Sequence, residues 1–410
     1  MDCPLYFEVI AKCKKTRARV GNLRLKSTSE FGKDVEIETP IFMPVGTSGA
    51  MKSVMPIELE QIGCRLMLCN TYHLASQPGE DIVNEIGHGG CHGFIRWPHA
   101  ILTDSGGFQM VSLNKLMSIN EDGVRFESPY NEGEIFLSPE GCMQIQHKLG
   151  SNIIMQLDDV VSAVAQDDKR FEEALYRSIR WYDRARKYHH QTGRDKLQNL
   201  YPIIQGGLDE SFRRISVREI VARDPPGIAI GGLSGGEAKE DFIKMVAIST
   251  ENLSDSKPRY LMGVGYAVDM MLCVALGCDQ FDCVYPTRTA RFGTALIGLG
   301  KQLNLSNQRY LTDQSPVDQD CDCSTCLSLN RSYLCRLFRS KNPTACQLLT
   351  VHNLRFQMRF MEMIRLAIKE QRFEQFIIDT LYYNIGKNYN DYPEWIRIAL
   401  DILQIDLINL

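Results

Sequence analysis

The chain has 410 residues, of which 44% are hydrophobic and 23% are charged, and its formal net charge is −4. This composition excludes a disordered or fibrous protein and is typical of one large globular domain with a smaller appendage. The slightly acidic balance gives no global sign of a polyanion partner, so any nucleic-acid surface must be local.

Targeting and redox features indicate an intracellular protein. The first residues include Asp2 and Glu8 and lack the basic-then-apolar layout of a secretory signal. No apolar run approaches the roughly 18 residues that a membrane span needs. Most cysteines stand singly inside apolar segments, which predicts small buried side chains in a reducing compartment, cytosolic or nuclear.

A repeating pattern begins after an N-terminal segment, 8–39, whose alternating polar and apolar residues predict an antiparallel cap. Short runs of strand character then recur at 41–45, 65–70, 100–103, 152–157, 201–204, 227–230, 258–262 and 280–284. Helical periodicity falls between them, at 57–62, 79–86, 138–149, 168–190, 210–222, 238–253 and 268–276.

Eight apolar runs, each followed by a segment compatible with a helix, predict an α/β fold, a (β/α)₈ TIM barrel. An open doubly wound sheet is the alternative, and the absence of a dinucleotide glycine fingerprint makes it the weaker one. Residues 110–137 break the pattern and read as a β insertion after the third strand. The repeat is expected to stop near Gly300, and helices are expected at 353–369, 373–383 and 395–403.

Three domains follow from this pattern. We expect a barrel with its cap at 1–312, a cysteine-containing subdomain at 313–365, and C-terminal helices packing on the barrel at 366–410.

Polar residues and glycines stand where the predicted strands end, and barrel enzymes place their chemistry at the carboxyl ends of the strands. Taken singly, each acid is also compatible with a plain salt bridge, and each glycine pair with a plain turn. Together they favour one pocket for a planar heterocycle, with two acids available for displacement at a sugar carbon. The strand-end residues are Asp104, Asp158, Gln205, Gly232, Met262 and Asp282.

The eighth run carries the strongest signal. Asp282 interrupts apolar residues, Pro286 is expected to end the strand because it cannot donate to a ladder, and Arg288 and Arg291 follow. An acid beside paired guanidiniums suits a nucleophile or base next to a phosphate-bearing substrate.

A metal site is predicted in the C-terminal third, where Cys321, Cys323 and Cys326 are followed by His352. Three thiolates and one imidazole give a closed tetrahedral shell, which is typical of structural Zn²⁺ and leaves no position for a catalytic water.

The strand-end motifs resemble those of the tRNA-guanine transglycosylases, most closely the eukaryotic catalytic subunits, over nearly the whole chain. The matching motifs are Leu-Thr-Asp104-Ser-Gly-Gly-Phe108, Met-Gln-Leu-Asp158-Asp-Val, Ile-Ile-Gln205-Gly-Gly-Leu, Ala-Ile-Gly-Gly232-Leu-Ser-Gly-Gly, Tyr-Leu-Met262-Gly-Val-Gly and Phe-Asp282-Cys-Val-Tyr-Pro-Thr-Arg-Thr-Ala-Arg.

The resemblance implies a pentosyltransferase that replaces guanine with queuine at the wobble position of a tRNA anticodon. Asp282 is then the nucleophile that forms a covalent RNA intermediate at C1′, and Asp104 is the general acid/base. The base-binding positions are Asp104, Ser105, Gly106, Gly107, Phe108, Asp158, Gln205, Gly232, Leu233, Gly235 and Met262, with Phe108 and Met262 as the stacking pair.

The RNA-contacting positions implied by the resemblance lie in two segments: Gly263, Val264, Gly265, Tyr266, Ala267, Val268 and Asp269, and Thr287, Arg288, Thr289, Ala290 and Arg291. Bacterial relatives carry a bulkier residue at the position of Gly235 and a cysteine at that of Val160. Glycine at 235 therefore implies room for the cyclopentenediol arm of queuine.

The partners implied are a tRNA with a GUN anticodon, guanine, queuine and one structural Zn²⁺ per chain. We also expect a dimer, either of two copies or with a non-catalytic accessory paralogue. No transmembrane segment is expected. The expected location is the cytoplasm, and peripheral association with the mitochondrial outer membrane, as in eukaryotic relatives, is left open.

Two other functions fit parts of the sequence. A non-catalytic tRNA-binding subunit on the same barrel would lack the catalytic acids, whereas Asp104 and Asp282 are both present. A glycoside hydrolase would also use two barrel carboxylates, but the glycine-and-amide set and the arginine-rich loop disfavour it.

Overall fold

The computed structural model describes residues 4–107, 116–127, 133–163, 165 and 167–407. Its strands are β1 (Leu5–Lys12), β2 (Arg19–Leu25), β3 (Val35–Thr39), β4 (Ile41–Met43), β5 (Val45–Gly46), β6 (Leu66–Cys69), β7 (Ala100–Thr103), β8 (Leu116–Ile119), β9 (Val124–Glu127), β10 (Glu134–Leu137), β11 (Ile153–Met155), β12 (Asn199–Tyr201), β13 (Ile203–Ile204), β14 (Ile228–Ile230), β15 (Arg259–Leu261), β16 (Gln280–Asp282), β17 (Thr294–Ile297) and β18 (Lys301–Asn304).

The described helices lie mostly where the helical periodicity predicts them. They are α1 (Pro56–Gln61), α2 (Thr71–Ser76), α3 (Glu80–Ile86), α4 (Cys91–Phe94), α5 (Pro139–Leu149), α6 (Asp168–Gln191), α7 (Glu210–Val221), α8 (Lys239–Glu251), α9 (Ala267–Ala275), α10 (Tyr285–Ala290), α11 (Ser324–Ser328), α12 (Arg331–Arg339), α13 (Thr344–Lys369), α14 (Phe373–Asn384) and α15 (Glu394–Leu403). No described helix combines the length and the apolar character of a bilayer-spanning segment.

The barrel is built from two five-stranded parallel sheets, ordered β12-β11-β7-β6-β5 and β13-β14-β15-β16-β4. They are continuous because β4 and β5 form one strand interrupted at Pro44, and β12 and β13 form one interrupted at Pro202. A proline cannot donate to the ladder, yet both carbonyls still accept, from Leu68 N and Ala229 N at 2.9 Å. The predicted (β/α)₈ barrel is therefore confirmed.

The barrel strands are buried on both faces, as their unbroken apolar runs predict. Alternate side chains, such as Met43, Leu102, Met155 and Tyr260, fill the interior. Their neighbours along each strand pack outward against the ring of helices. Polar side chains are therefore displaced to the strand ends.

The antiparallel cap is confirmed and begins slightly earlier than predicted, at Leu5. Its strands are ordered β1-β2-β3, with Leu23 opposite Ile37 in the β2–β3 ladder. Both side chains belong to the same buried cluster as the barrel interior. The cap therefore covers the barrel with one apolar face.

The insertion after the third barrel strand is also confirmed, since β8, β9 and β10 form a separate antiparallel sheet ordered β10-β9-β8. The sheet is tied to α6, where Trp181 Nε1 donates to the carbonyl of Glu121 at 2.9 Å. Arg180 also pairs with the Glu121 carboxylate at 2.8 Å.

The prediction that Pro286 ends the eighth strand is wrong. Strand β16 already ends at Asp282, and Pro286 lies in the first turn of α10. Proline is tolerated there because the first amides of a helix have no intrahelical acceptor. Asp282 therefore stands at the very end of its strand, where the chain turns into a short helix.

The repeat also continues beyond Gly300, contrary to expectation. Helix α13 packs against β2, β4 and α10 and so takes the place of the eighth barrel helix. Arg365 Nη1 donates to the carbonyl of Pro40 at 2.7 Å from this helix. The β17–β18 hairpin, α11 and α12 are thus inserted between the eighth strand and its helix. Helix α13 continues through residue 365, and the three-domain division stays a prediction.

Candidate active site

Asp282, at the end of β16, has one carboxylate oxygen held in place. Its Oδ1 accepts hydrogen bonds from the Tyr260 hydroxyl at 2.6 Å and from the amide of Gly263 at 2.9 Å. Burial raises the pKa of Asp282, and the two hydrogen bonds act in the opposite direction. Its Oδ2 receives no hydrogen bond from the described residues, so that oxygen is available for chemistry.

Asp104, at the end of β7, is buried and is oriented by the residues that follow the neighbouring strand β6. The amide of Thr71 donates to its Oδ1 at 2.9 Å, and the side-chain amide of Asn70 donates to its Oδ2. The Thr71 hydroxyl in turn donates to the backbone carbonyl of Asp104. These contacts fix both the carboxylate and the backbone of this strand end.

Asp158 forms the centre of a third group of polar side chains. Its carboxylate accepts from Gln205 Nε2 at 2.5 Å and from the Ser105 hydroxyl at 3.4 Å. Burial raises the pKa of Asp158 to about 7, and the neighbouring Asp159 carboxylate adds to the rise. Asp158 is therefore close to half-protonated near neutral pH.

Glycines lie next to this group. A side chain is excluded at Gly232, where a Cβ would lie 2.4 Å from Gln205 Oε1, and φ is +66°. A Cβ at Gly231 would lie 3.4 Å from the sulfur of Met262. A Cβ at Gly107 would lie 3.3 Å from Asp158 Oδ1. The structure thus brings Ser105, Gly107, Asp158, Gln205, Gly232 and Met262 together.

Shared neighbours connect the three acids. Burial raises the pKa of Tyr260, and the carboxylates of Asp282 and Asp104 both add to that rise. Burial likewise raises the pKa of the Cys142 thiol to about 12, and Asp104 and Asp158 both add to it. Asp104 therefore shares one buried neighbour with Asp282 and another with Asp158, and all three acids follow the carboxyl ends of barrel strands.

The remaining predicted base-site positions are more peripheral or not described. Leu233 is partly buried, and Gly235 is exposed, with a Cβ position 3.6 Å from the Ala163 Cβ. Gly106 lies between Ser105 and Gly107 with φ +79°. Phe108, predicted as a stacking residue, lies outside the described residues.

The first predicted RNA segment, 263–269, begins at Gly263, whose amide donates to Asp282, and continues into the first turn of α9. The exposed Tyr266 ring lies 4.2 Å from the Tyr285 ring, centroid to centroid. Asp269 is largely buried and pairs with Lys239 at 2.8 Å, and the same ammonium lies 4.4 Å from the centre of the Trp395 ring. The segment therefore presents one exposed aromatic ring, and the helix that follows it is held in place by a largely buried ion pair.

The second predicted RNA segment, 287–291, lies in and just beyond α10. Thr287 and Ala290 are buried, whereas Arg288 and Arg291 are exposed. Asn353 on α13 donates to the carbonyls of Pro286 at 3.0 Å and Thr294 at 2.9 Å, which ties the first turn of this helix to the start of β17. The guanidiniums of Arg288 and Arg291 thus project from a segment that is held in place by hydrogen bonds to α13.

The predicted metal ligands form a buried cluster whose ligand atoms all lie within 4.8 Å of one another: Cys321, Cys323, Cys326 and His352. His352 Nε2 lies 2.8 Å from the carbonyl of Leu296, so its proton sits on that nitrogen. The unprotonated Nδ1 then faces Cys326 Sγ at 3.2 Å. This donor set fits a metal ion with tetrahedral thiolate and imidazole coordination.

Several residues of the site were not predicted from the sequence. Tyr260 reads as an ordinary interior residue, and Asn70 and Thr71 read as a loop. Arg213 is fully buried, and its guanidinium donates to the carbonyls of Gly207 at 2.9 Å and Gly231 at 2.8 Å. An arginine inside the apolar spacing of a helix was the one available signal for it.

A family model described as queuine tRNA-ribosyltransferase matches residues 13–383. The chain belongs to this family.

Relatives from three organisms agree with the family assignment. The chain is 47% identical over 412 residues to the queuine tRNA-ribosyltransferase catalytic subunit of Schizosaccharomyces pombe, with 98% of each chain covered. It is 44% identical to the subunit of the same name from Caenorhabditis elegans, over 94% of this chain and 95% of that one. It is 43% identical to the queuine tRNA-ribosyltransferase of Thermus thermophilus, over 97% and 98%.

Proposed function

We propose that this protein exchanges guanine for queuine at the wobble position of tRNAs with a GUN anticodon, through a covalent link between Asp282 and the ribose. One observation carries the proposal: Asp282 has one oxygen held by two donors and the other available, at a barrel end that also presents Asp104 and Asp158. The membership of the family supplies the reaction class.

The first half-reaction would use Asp282 as nucleophile and Asp104 as acid. Attack of Asp282 Oδ2 on C1′ forms a carbon–oxygen bond while the bond from C1′ to the guanine nitrogen breaks. The electron pair stays on the departing base, which takes a proton from Asp104. The RNA is then held as an ester of Asp282.

The second half-reaction reverses these roles. Queuine occupies the vacated pocket, and the Asp104 carboxylate accepts the proton of its ring N–H. The ring nitrogen attacks C1′, and the ester bond to Asp282 breaks. One base replaces the other, and no water is consumed.

The pocket around Asp158 suits a purine-like ring. An ionised Asp158 accepts from ring and exocyclic N–H groups, and Gln205 and the amides near Gly232 offer complementary donors and acceptors. Met262 would cover one face of the ring and Phe108 the other. Ser105, Gly106 and Gly107 let the base approach the backbone, and Leu233 borders the pocket.

Gly235 supports queuine over a smaller precursor base. It is exposed, and a Cβ there would reach within 3.6 Å of Ala163. A larger side chain would therefore fill the space between these two segments, which we assign to the cyclopentenediol arm.

The Cys321, Cys323, Cys326 and His352 cluster would hold one structural Zn²⁺, and its role would be to keep the inserted segment folded. The segments 263–269 and 287–291 would contact the RNA. The family resemblance further suggests a dimer, of two copies or with an accessory paralogue, working in the cytoplasm.

The proposal is tested by incubating the protein with labelled guanine and a tRNA that carries a GUN anticodon. Label should enter the tRNA, and unlabelled queuine should chase it out. Asp282→Asn keeps the shape of the side chain and should abolish both exchange and a protein–tRNA adduct on a denaturing gel. Tight tRNA binding by the native chain without any exchange would instead indicate a non-catalytic binding subunit.

A further inference from the structure

The acid that follows Asp158 in the chain, Asp159, is buried and held by helix α6. None of its side-chain surface is accessible. Arg177 Nη1 donates to Asp159 Oδ2 at 2.6 Å, and Arg170 Nη1 donates to the same oxygen at 2.8 Å. Arg170 Nη2 donates to the other oxygen, and the amide of Asp159 donates to the Ser178 hydroxyl at 2.9 Å. Two guanidiniums and one hydroxyl of α6 therefore fix both the carboxylate and the backbone of Asp159.

Arg177 connects this carboxylate to two further acids, and it is itself buried. Its Nη2 donates to Glu173 Oε1 on the same helix, and its Nε lies 3.8 Å from Glu121 Oε2 at the tip of the β8–β9 hairpin. Glu121 pairs in turn with Arg180 at 2.8 Å. The network contains as many guanidiniums as carboxylates: Arg170, Arg177 and Arg180, and Asp159, Glu173 and Glu121. Arg177 is the cation that meets all three acids.

The same helix also contacts the strand end that carries Gln205. In the first turn of α6, the ring of Phe171 lies against Gly207, where a Cβ would be 2.6 Å from the ring and φ is +54°. Gly207 follows Gln205 by two residues, and Gln205 Nε2 donates to Asp158 at 2.5 Å. Helix α6 thus supports both strand ends whose side chains meet in this hydrogen bond.

A purely structural ion pair between helix and strand end is the simpler explanation, and two observations disfavour it. Removing charges from water costs solvation that their mutual attraction seldom repays, so stability alone is a weak reason for a buried carboxylate with two guanidiniums. The position is also specific, because neighbouring carboxylates oppose each other's ionisation. Burial raises the pKa of Asp158 to about 7, and the Asp159 carboxylate adds to that rise. Without its guanidiniums, Asp159 would keep Asp158 protonated over most of the neutral range.

We propose that Arg177 is a positioning residue of the base pocket, which fixes and neutralises Asp159 and so allows Asp158 to carry its charge when a purine base binds. The proposal rests on the proposed function, since it takes Asp158 as the acid that accepts from the base. Arg177 acts through Asp159 and does not itself meet the base or the ribose. Its loss should therefore change base affinity more than the chemical step.

The side chains that face the two carboxylates come from several elements. They are Ser105, Cys142 and Gln205 near Asp158, and Arg170 and Arg177 at Asp159. Burial raises the pKa of the Cys142 thiol to about 12, with Asp104 and Asp158 adding to the rise, so the thiol is neutral near pH 7. The hydroxyl and the amide do not titrate, and guanidiniums stay charged. Asp104 is the same in every variant below, so differences between the variants report on the two adjacent acids.

The test uses two variants that break the same ion pair from opposite sides. Arg177→Gln removes the positive partner, whereas Asp159→Asn removes the negative one. The affinity of the tRNA-free protein for guanine is measured by calorimetric titration across the neutral pH range, and exchange kinetics are measured in parallel. Arg180→Gln is the matched control, because Arg180 lies on the same helix and pairs with Glu121 but has no ion pair with Asp159 among the described residues.

We expect the midpoint of the pH profile to rise by about one unit in Arg177→Gln and to fall by about one unit in Asp159→Asn. The first variant leaves the Asp159 charge less compensated, which opposes ionisation of Asp158, and the second removes that charge. At pH 7 the KM for guanine should rise about fivefold in Arg177→Gln, while kcat changes less than about twofold. Arg177→Lys keeps the charge and should restore most of the native midpoint. The Arg180→Gln control should keep it.

The outcomes separate the two proposals. If the native protein does not exchange guanine, the proposed function fails. If the native protein exchanges guanine but Arg177→Gln and Asp159→Asn shift the midpoint in the same direction or not at all, the pair is only structural and the positioning role is overturned. A flat native profile overturns it as well. Should Arg177→Gln not fold, Asp159→Asn decides alone, since an unshifted or raised midpoint in that variant contradicts the proposal.

Discussion

The hydroxyl of Tyr260 on β15 donates to Oδ1 of Asp282 on the neighbouring β16 at 2.6 Å. Tyr260 is fully buried in the barrel interior, so the hydroxyl has a fixed position. Together with the amide of Gly263 it holds Oδ1 and leaves Oδ2 of Asp282 without a hydrogen bond from the described residues. The orientation of the proposed nucleophile therefore depends on a residue of the barrel core.

Tyr260→Phe should lower the rate of guanine exchange at saturating tRNA. It removes a hydrogen bond to a charged group, typically about 1.5–3 kcal/mol, which corresponds to roughly a 10- to 100-fold lower rate. The same bond lowers the pKa of Asp282, so its removal should also shift the acid limb of the rate profile toward higher pH. Both effects are measured in one pH–rate series.

Tyr201→Phe is the matched control for this variant. Tyr201 is also fully buried in the barrel, but its hydroxyl has no hydrogen-bond partner among the described residues. Its removal should leave the rate and the pH profile unchanged. Equal rate reductions in the two variants would mean that the interior tyrosines act only through packing.

The raised pKa of Asp158 predicts pH-dependent base binding. The ionised carboxylate accepts from N–H groups of guanine through both oxygens, whereas protonation turns one oxygen into a donor. The affinity of the tRNA-free protein for guanine should therefore increase as pH rises toward about 7 and then level off. Calorimetric titration between pH 5.5 and 8.5 measures this. Asp158→Asn should bind weakly at every pH, and a flat native profile would contradict the assignment of Asp158 to the base.

The same pKa gives a stability change of opposite sign. Asp158 titrates near 7 in the folded chain and near 3.8 when unfolded, so the folded state holds an extra proton between these values. Its contribution to stability is complete below pH 3.8 and is lost as pH rises to about 7. Asp158→Asn should remove this component from the pH dependence of Tm. Over the pH range in which the affinity for the base rises, the free protein therefore loses stability.

Strand-end acids and apolar runs predicted the barrel and its site because each strand is buried on both faces, which confines polar groups to the ends. Asp104, Asp158 and Asp282 are visible in the sequence for that reason. The cysteine spacing predicted the metal cluster on similar grounds, since three nearby thiolates have few structural uses besides a metal.

The supporting residues could not be predicted because their roles depend on contacts between distant segments. Tyr260 has the character of a core residue, and only the pairing of β15 with β16 brings its hydroxyl to Asp282. An arginine on a helix is ordinarily exposed, whereas Arg213 is fully buried. Pro286 is compatible with a strand end or a helix start, and local sequence does not distinguish the two.

Arg213 joins two strand ends and should affect base binding without touching the base. Its guanidinium donates to the carbonyls of Gly207, Gly231 and, at 3.3 Å, Gly232. Burial lowers its pKa to about 9, which leaves it charged at neutral pH. Arg213→Met should cost about 1–3 kcal/mol for each buried carbonyl left unpaired and should raise the KM for guanine more than it lowers kcat.

Arg214→Met is the adjacent control, on the exposed face of the same helix. Its ion pairs with Glu210 and Glu251 are surface pairs, worth at most about 1 kcal/mol. Chemical denaturation and exchange kinetics should both be close to native. A KM change as large as that of Arg213→Met would show that the effect does not come from the strand ends.

The metal cluster should stabilise α10, the helix proposed to contact RNA, through two neighbouring residues of α13. His352 meets the carbonyl of Leu296, and Asn353 holds the carbonyl of Pro286 in α10 and that of Thr294 at the start of β17. Loss of the metal should therefore loosen α10 and its arginines before it disturbs the barrel pocket. His352→Ala should lose the metal, lower Tm and weaken tRNA binding by roughly tenfold or more, while guanine affinity stays within about twofold.

Cys335→Ser is the control for the metal prediction, because Cys335 is buried nearby but lies outside the cluster. It should keep one Zn²⁺ per chain in elemental analysis, as we also expect for the native protein, with native tRNA affinity. Dialysis of the native protein against a chelator should reproduce the His352→Ala phenotype, and added Zn²⁺ should reverse it. Native tRNA affinity in a metal-free His352→Ala protein would separate the cluster from RNA binding, because α10 would then be held in place without it.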